Sequence, residues 1–157
     1  MTNNRPPYKI GSAMDKMFEK KCEEIKKKFE PLSLEQRYQT LMEMGRALPP
    51  FPEELKTPDR IVKGCQSILY LNGTLKDGKI YFEAHADALI SAGLAALLIA
   101  AYSGETPETI LKCPPTFISE LGIATSLSPG RSNGLAHIHL RMKQDALKIF
   151  TMSNIFC

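Results

Sequence analysis

Apolar residues recur every three or four positions in the first part of the chain, which is the spacing of one face of an α-helix. Lys and Glu occupy the positions between them, and Pro31 ends the pattern. We therefore predict an amphipathic helix that begins near Ser12 and ends near Phe29. Its apolar face is predicted to consist of Met14, Met17, Phe18, Cys22, Ile25 and Phe29.

A second helix is predicted after Ser33. Ser33 and Gln36 have the spacing of a capping box, in which each side chain bonds the backbone N–H of the other residue. Residues 49–63 contain four prolines and predict an irregular connector. The apolar face of the second helix is predicted to contain Leu34, Tyr38, Leu41, Met42 and Leu48.

The period changes to that of β-strands after the connector. Residues 67–73 and 79–85 are rich in strand-forming residues, and Asp77-Gly78 between them is the signal for a type I′ turn. We predict an antiparallel hairpin from this pattern. Residues 60–62 are candidates for a short third strand.

A nearly continuous apolar segment, residues 88–102, follows the hairpin. At about 15 residues it is shorter than the roughly 20 that cross a bilayer, so it predicts a buried central helix. Asp87 is placed to cap the start of this helix with its side-chain oxygen.

Shorter elements are predicted in the last third of the chain. Thr106-Pro107 is typical of a helix N-terminus, and a second short helix is predicted over residues 116–121. Residues 128–132 predict a turn before a last helix. One face of that helix is predicted to contain Leu135, Ile138, Met142 and Ile149.

Composition indicates one ordinary globular domain, because the chain has 157 residues, of which 43% are hydrophobic and 24% charged. This balance excludes intrinsic disorder and a coiled coil for the whole chain. The net charge of +3 gives no reason to predict nucleic-acid or membrane binding. We expect a flexible arm over residues 1–11, a domain over residues 12–150 and a C-terminal tail over residues 151–157.

The four cysteines lie far apart, and none forms a C-x-x-C pair with another. Zinc fingers and dithiol redox motifs need such local pairs, so neither is predicted. The first ten residues also lack the apolar core of a signal peptide. We therefore expect a cytoplasmic protein with free thiols and without a metal site.

Cys65 is the cysteine whose sequence surroundings favour chemistry. It lies beside Gly64 at the junction of the connector and a predicted strand, and loops between rigid elements commonly display reactive groups. Nearby Arg60 and Lys63 favour the thiolate, whereas burial beneath the flanking apolar residues disfavours it. From the residues alone, Cys65 is either a nucleophile or a small apolar side chain that fills the core. The flanking apolar residues are Ile61, Val62 and Ile68.

The remaining cysteines are better explained by packing or position. Cys22 lies on the apolar face of the first predicted helix, Cys113 precedes two prolines, and Cys157 is the last residue. His137 and His139 are two positions apart on a predicted helix. Such residues point about 200° apart and do not bind one metal ion together.

A hydrolytic group formed by Cys65, His85 and Asp87 is a further alternative. A base and its orienting acid only two residues apart seldom converge on one nucleophile. The sequence therefore gives this alternative little support.

Two motifs, and the order of the elements around them, point to a known family. The first motif is Gly64-Cys65-Gln66-Ser67, and the second is S-P-G-R-S-N-G-L at residues 128–135. Together with Ala86-Asp87-Ala88 at the start of the apolar helix, they resemble the SufE family of sulfur-acceptor proteins in iron–sulfur cluster biogenesis. The resemblance covers about residues 12–150.

The resemblance implies an α+β fold, with a small antiparallel sheet of two to three strands and helices packed on it, as in cluster scaffolds of the NifU and IscU type. It also implies that Cys65 accepts a persulfide sulfur from a PLP-dependent, SufS-like cysteine desulfurase and stimulates that enzyme. The sulfur would then pass to a downstream cluster-assembly scaffold. By the same resemblance, Arg131 supports the cysteine site, and Gly64, Gln66 and Asp87 contact the partner.

Two alternatives remain beside the carrier role. A cluster scaffold would itself hold iron and sulfur, typically with three well-placed cysteines, and this chain has one motif cysteine. A non-covalent adaptor would stimulate the desulfurase without chemistry at Cys65. No cofactor is expected in the carrier role.

Overall fold

A computed structural model describes residues 13–123 and 127–156. Helices α1 and α2 precede a two-stranded sheet, and the remaining helices follow it. Two 3₁₀ turns, Glu53–Leu55 and Pro58–Arg60, occupy the predicted connector. The arrangement confirms the predicted α+β class. The helices and strands are α1 (Ala13–Phe29), α2 (Leu34–Arg46), β1 (Leu69–Lys76), β2 (Lys79–Ala86), α3 (Leu89–Tyr102), α4 (Pro107–Lys112), α5 (Thr116–Glu120) and α6 (Pro129–Phe156).

The predicted hairpin is confirmed. Strands β1 and β2 pair antiparallel from Leu69 opposite Ala86 to Lys76 opposite Lys79. Asp77 and Gly78 have φ values of 52° and 77°, as a type I′ turn requires at both central positions.

The third strand that the sequence suggested is a single bridge in the structure. Ile61 pairs with Tyr70, and the N–H of Val62 donates to the carbonyl oxygen of Leu69 at 2.9 Å. The chain then turns at Gly64, where φ is 91°, so no further pairs with β1 form at this edge. Within the described residues the sheet therefore has two strands.

Helix α3 is the central packing element, as predicted. Leu94, Leu97 and Leu98 are almost completely buried, and the helix contacts α1, α2, β2 and α6. Gly93 lies directly against the backbone of Leu41 in α2, where a side chain would overlap it. The close approach of these two helices fixes the centre of the fold.

The predicted apolar face of α1 is wrong at its N-terminal end. Met14 and Met17 are 42% and 68% exposed, whereas Asp15 is buried. Asp15 accepts hydrogen bonds from Lys112 at 2.6 Å and from Thr109 at 3.2 Å. Because these partners satisfy the buried carboxylate, the helix can turn Asp15 inward and leave the flexible methionines in solvent.

The helix caps were predicted correctly in two of three places. The capping box of α2 is present, with Ser33 and Gln36 bonded to each other's backbone N–H at 3.2 and 2.9 Å. The hydroxyl of Thr106 accepts from the N–H of Thr109 at 3.2 Å and caps α4. Asp87 does not cap α3, whose N-cap is Ala88. It lies one residue too early, and its carboxylate is 3.5 Å from Nε2 of His85.

Helix α6 begins earlier and ends later than the sequence pattern suggested. The predicted turn over residues 128–132 is wrong after its first residue, because Pro129 starts the helix, a position that suits its fixed φ. Residues 151–156, assigned above to a tail, continue the same helix. The predicted arm, residues 1–11, and Cys157 lie outside the described residues. No helix in the described part of the chain is long and apolar enough to span a membrane.

Candidate functional site

Cys65 lies in a short loop between the second 3₁₀ turn and β1. We call residues 63–67 the cysteine loop. The hydroxyl of Ser67 donates to that of Ser91 in α3 at 2.8 Å and fixes the end of the loop. Val62, just before the loop, is 3% exposed and belongs to the core. The loop is therefore anchored at both ends, and Gly64 and Gln66 between them are exposed.

The sulfur of Cys65 is half-buried beneath the first turns of α6. Its Sγ lies 3.9 Å from the carbonyl oxygen of Gly134, which is a weak hydrogen bond. Beside it is a cavity of about 10 Å³, room for about one water-sized group. The cavity is lined by Cys65, Gln66, Ser91, Leu94, Gly130, Gly134 and Ile138.

Burial controls the electrostatics of this thiol. It raises the pKa of Cys65 above its ordinary value. Arg60, which is near in sequence, bonds elsewhere: its guanidinium donates to Asn72 at 3.0 Å and to Thr57 at 2.8 Å. The sequence left open whether nearby cations or burial would control the pKa of Cys65. In the structure burial controls it, so the resting thiol is neutral at pH 7.

The shelter of Cys65 comes from residues other than those predicted. Ile68 is 50% exposed, so it does not cover the sulfur, and Val62 packs into the core away from the cavity lining. Leu94 of α3 and Ile138 of α6 line the cavity instead. Both are distant in sequence from Cys65, so the residues around Cys65 could not indicate that they shelter it.

The predicted partner-binding residues surround the cysteine in different ways. Gly64 packs against the ring of His137, and the side chain of Gln66 lies against Gly130, so both contact α6. Asp87 is exposed near the start of α3 and pairs with His85. Arg131 lies in the first turn of α6, next to Gly130, and its side chain is outside the described part of the structure. Its role at the cysteine site stays a prediction.

The hydrolytic alternative has no support in the geometry. His85 pairs across the hairpin with Tyr70 and contacts Asp87, whereas the lining of the Cys65 cavity contains no histidine. Among the described residues, no group of three or more His, Cys, Asp or Glu side chains is arranged to hold a metal ion.

Sequence reasoning missed three residues of α6 as parts of the site: Gly134, His137 and Arg141. The sequence indicated Gly134 only as part of a motif, and His137 as a residue that points away from His139. That divergence is confirmed, because the ring of His139 stacks on Tyr102 with centroids 5.5 Å apart while His137 contacts the cysteine loop. A helix drawn from Pro129 would have placed Gly130, Gly134, His137 and Arg141 on one face.

Comparison with known proteins identifies the relatives of this chain. The family model SufE, described as an Fe-S metabolism associated domain, matches residues 23–146. An uncharacterized SufE-like protein of Synechocystis is 39% identical over 111 residues, which cover 71% of this chain and 70% of that protein. The sulfur acceptor protein CsdE of Escherichia coli is 34% identical over 117 residues, covering 73% of this chain and 80% of CsdE.

A solved structure extends the similarity to the fold. The solution structure of a hypothetical protein from Thermus thermophilus matches with a TM-score of 0.71 at 28% identity, covering 83% of this chain and 96% of the other. The residues matched by the family model include the cysteine loop and most of α6. This chain belongs to the SufE family.

Proposed function

We propose that this protein is a sulfur acceptor that takes a persulfide sulfur onto Cys65 from a PLP-dependent cysteine desulfurase. The observation that carries the proposal is the half-buried Cys65 beside a cavity with room for about one more small atom. Family membership and the sulfur-acceptor name of the Escherichia coli relative support it.

The chemistry is an exchange between sulfur atoms. The thiolate of Cys65 attacks the terminal sulfur of a persulfide on the desulfurase. A new S–S bond forms at Sγ of Cys65, the S–S bond of the donor breaks, and the donor cysteine leaves as a thiolate. The proton of the Cys65 thiol passes to solvent or to a base of the partner. Nothing is oxidised or reduced overall, so no further cofactor is needed.

The buried resting state makes the partner necessary. A neutral, half-buried thiol is a poor nucleophile, so Cys65 reacts after the cysteine loop leaves α6 and enters a setting that stabilises the thiolate. Arg131 is proposed to stabilise the thiolate, and Gly64, Gln66 and Asp87 to contact the desulfurase. Removal of sulfur from the desulfurase would stimulate its turnover.

The loaded carrier is proposed to pass its sulfur to a cluster-assembly scaffold. Return of the loop to α6 would place the terminal sulfur in the small cavity, away from competing thiols. We also propose a cytoplasmic location, because Cys65 must be a free thiol before each transfer, and a reducing compartment keeps it so.

The test is mass spectrometry after incubation with a cysteine desulfurase and cysteine. The Cys65 peptide should gain the mass of one sulfur, and Cys65→Ser should abolish the gain because a hydroxyl does not exchange sulfur. Cys113→Ala is the matched control, since Cys113 is buried and bonded to Asp15. Loss of acceptance in a folded Cys113→Ala variant would refute the assignment to Cys65.

The same experiment separates the alternatives. A Cys65→Ser variant that stimulates the desulfurase as well as the wild type would favour the non-covalent adaptor. Stoichiometric iron and sulfide bound after incubation with iron would favour the cluster scaffold.

A further inference from the structure

Residues 59–66 run along one face of α6 in the direction opposite to the helix. Five contacts with four residues of α6 define the path, and later residues of the segment contact earlier residues of the helix. The contacts are Asp59 and Ile61 with Arg141, Gly64 with His137, Cys65 with Gly134, and Gln66 with Gly130.

The four helix residues have the spacing of a single helical stripe. Gly130, Gly134, His137 and Arg141 follow one another by four, three and four positions. Such positions lie within about 60° of one another around the helix and span about 16 Å along it. One face of α6 therefore supports the whole segment that carries Cys65.

The strong contacts are at the base of this segment, residues 59–61. Nη1 of Arg141 donates to the carbonyl oxygen of Ile61 at 3.1 Å, and Nη2 donates to that of Asp59. Nε donates to Oδ1 of Asp145 at 3.0 Å, which holds the guanidinium in place. Burial raises the pKa of Asp145, and the positive charge of Arg141 opposes that rise. All three bonds are charge-assisted, and those to Ile61 and Asp145 are partly buried, so they are stronger than bonds between neutral groups.

The contacts at the tip of the segment, which are made by Cys65 and Gln66, are weak by comparison. The Sγ of Cys65 is 3.9 Å from the carbonyl oxygen of Gly134, and Gln66 is exposed where it rests on Gly130. Between base and tip, the backbone of Gly64 packs against the ring of His137. A Cβ at Gly64 would overlap that ring, and its φ of 91° also favours glycine. The imidazole therefore lies directly beneath Gly64, next to Cys65.

We propose that Arg141 and His137 are positioning residues for Cys65: Arg141, oriented by Asp145, fixes the base of the segment to α6, and the ring of His137 holds the cysteine loop in its closed position. Opening then means that residues 63–66 leave the helix while Asp59 and Ile61 stay bonded. The purpose of this arrangement rests on the proposed function, but the position of the loop is measurable without any desulfurase.

The experiment is the rate at which iodoacetamide alkylates Cys65 in the full chain, followed on the Cys65 peptide by mass spectrometry. His137→Ala should raise the rate about fivefold, the factor that corresponds to a loss of about 1 kcal/mol from the closed state. His137→Phe keeps a flat ring beneath Gly64 and should restore a rate close to that of the wild type. Leu147→Ala, at an exposed position of α6 away from the stripe, is the matched control and should change nothing.

Arg141 is tested in the same assay. Arg141→Lys keeps the positive charge but loses the fork that reaches two carbonyl oxygens, and it should also raise the rate. Asp145→Asn, which removes the charge that orients Arg141, should act in the same direction and more weakly. Both substitutions are conservative in size, so they test the role of Arg141 without the larger cavity that Arg141→Ala would leave.

Wild-type alkylation rates in both His137→Ala and Arg141→Lys, with native circular dichroism, would overturn the proposal. Equal acceleration by His137→Ala and His137→Phe would overturn the role of the ring. The alkylation assay does not involve sulfur transfer, so failure of the sulfur-acceptor proposal would leave the alkylation rates unchanged. Failure of the positioning proposal would likewise leave persulfide formation on Cys65 intact.

Discussion

Two faces of helix α6 are built in opposite ways. The face toward the core presents Ile138, Met142 and Ala146, each at most 1% exposed, together with the stacked ring of His139. The face toward the cysteine loop presents two glycines, His137 and Arg141. Large apolar surface is removed from water on the first face and little on the second.

This difference explains how one helix serves both as scaffold and as cover. Burial of apolar area is the main stabilising term in folding, so the core face stays closed whenever the protein is folded. The loop face depends on a few contacts, of which those to the loop tip are weak. We therefore expect the cysteine loop to open without loss of the fold.

The largest predicted effect comes from the core face. Met142→Ala should lower the free energy of unfolding by about 2–5 kcal/mol, because it leaves a cavity in a completely buried site. Urea denaturation measures this change, with the exposed Leu147→Ala as control at less than about 0.5 kcal/mol. Equal effects of the two substitutions would contradict the contrast between buried and exposed positions of α6.

His139 should make the core face sensitive to pH. Burial lowers its pKa to about 4 from an ordinary 6.5. The unfolded chain therefore binds a proton between pH 6.5 and 4 that the folded chain does not, so stability falls as the pH falls through this range. The loss should be about 1–2 kcal/mol, since the ring is only partly buried.

The pH dependence is checked by urea denaturation at about pH 7 and about pH 4.5, on either side of most of the titration. His139→Phe should flatten the dependence, because phenylalanine does not take up a proton. His137→Phe, on the loop face of the same helix, should leave the contribution of His139 in place. An unchanged slope in His139→Phe would assign the pH dependence to other groups.

Gly64→Ala tests the loop face. The substitution combines an unfavourable φ with an overlap on the ring of His137, so the closed loop should be destabilised by about 1–2 kcal/mol. Alkylation of Cys65 should accelerate while the melting temperature changes little. Gly78→Ala is the matched control, because its φ is also positive, at 77°, but no atom lies within 4 Å of the added methyl group. It should lower stability without changing alkylation, and acceleration by both variants would refute the His137 contact as the cause.

Gly134→Ala should have the smallest effect on stability and the most specific effect on the site. The added methyl group would lie 3.8 Å from Sγ of Cys65, which is ordinary contact, and it raises helix propensity, so the protein should gain about 0.5 kcal/mol. The methyl group also fills the cavity that we propose for the terminal sulfur. A preloaded persulfide should then be lost faster to added thiol, as followed by mass spectrometry. Asn133→Ala, at the exposed neighbouring position, should leave persulfide lifetime unchanged.

Local sequence patterns were sufficient for much of the fold. The capping box of Ser33 and Gln36, the Asp77-Gly78 turn and the apolar run of α3 each depend on residues within a few positions of one another. Interactions over such short separations are encoded by spacing alone, so they could be predicted. The choice of Cys65 among four cysteines also came from a short motif and its neighbours.

The tertiary structure decided which of the possible partners meet. Asp15 is buried rather than Met14 or Met17 because Lys112, 97 positions away, reaches its carboxylate. Arg141, 80 positions beyond Ile61, holds the base of the segment that carries Cys65. Nothing near Ile61 in the sequence indicates this bond. Periodicity shows which side of a helix is apolar, but the partner of a polar group depends on how the elements pack. Sequence alone therefore determined most of the elements and singled out Cys65 as the candidate cysteine, and only packing against α3 and α6 determined how Cys65 is sheltered and held.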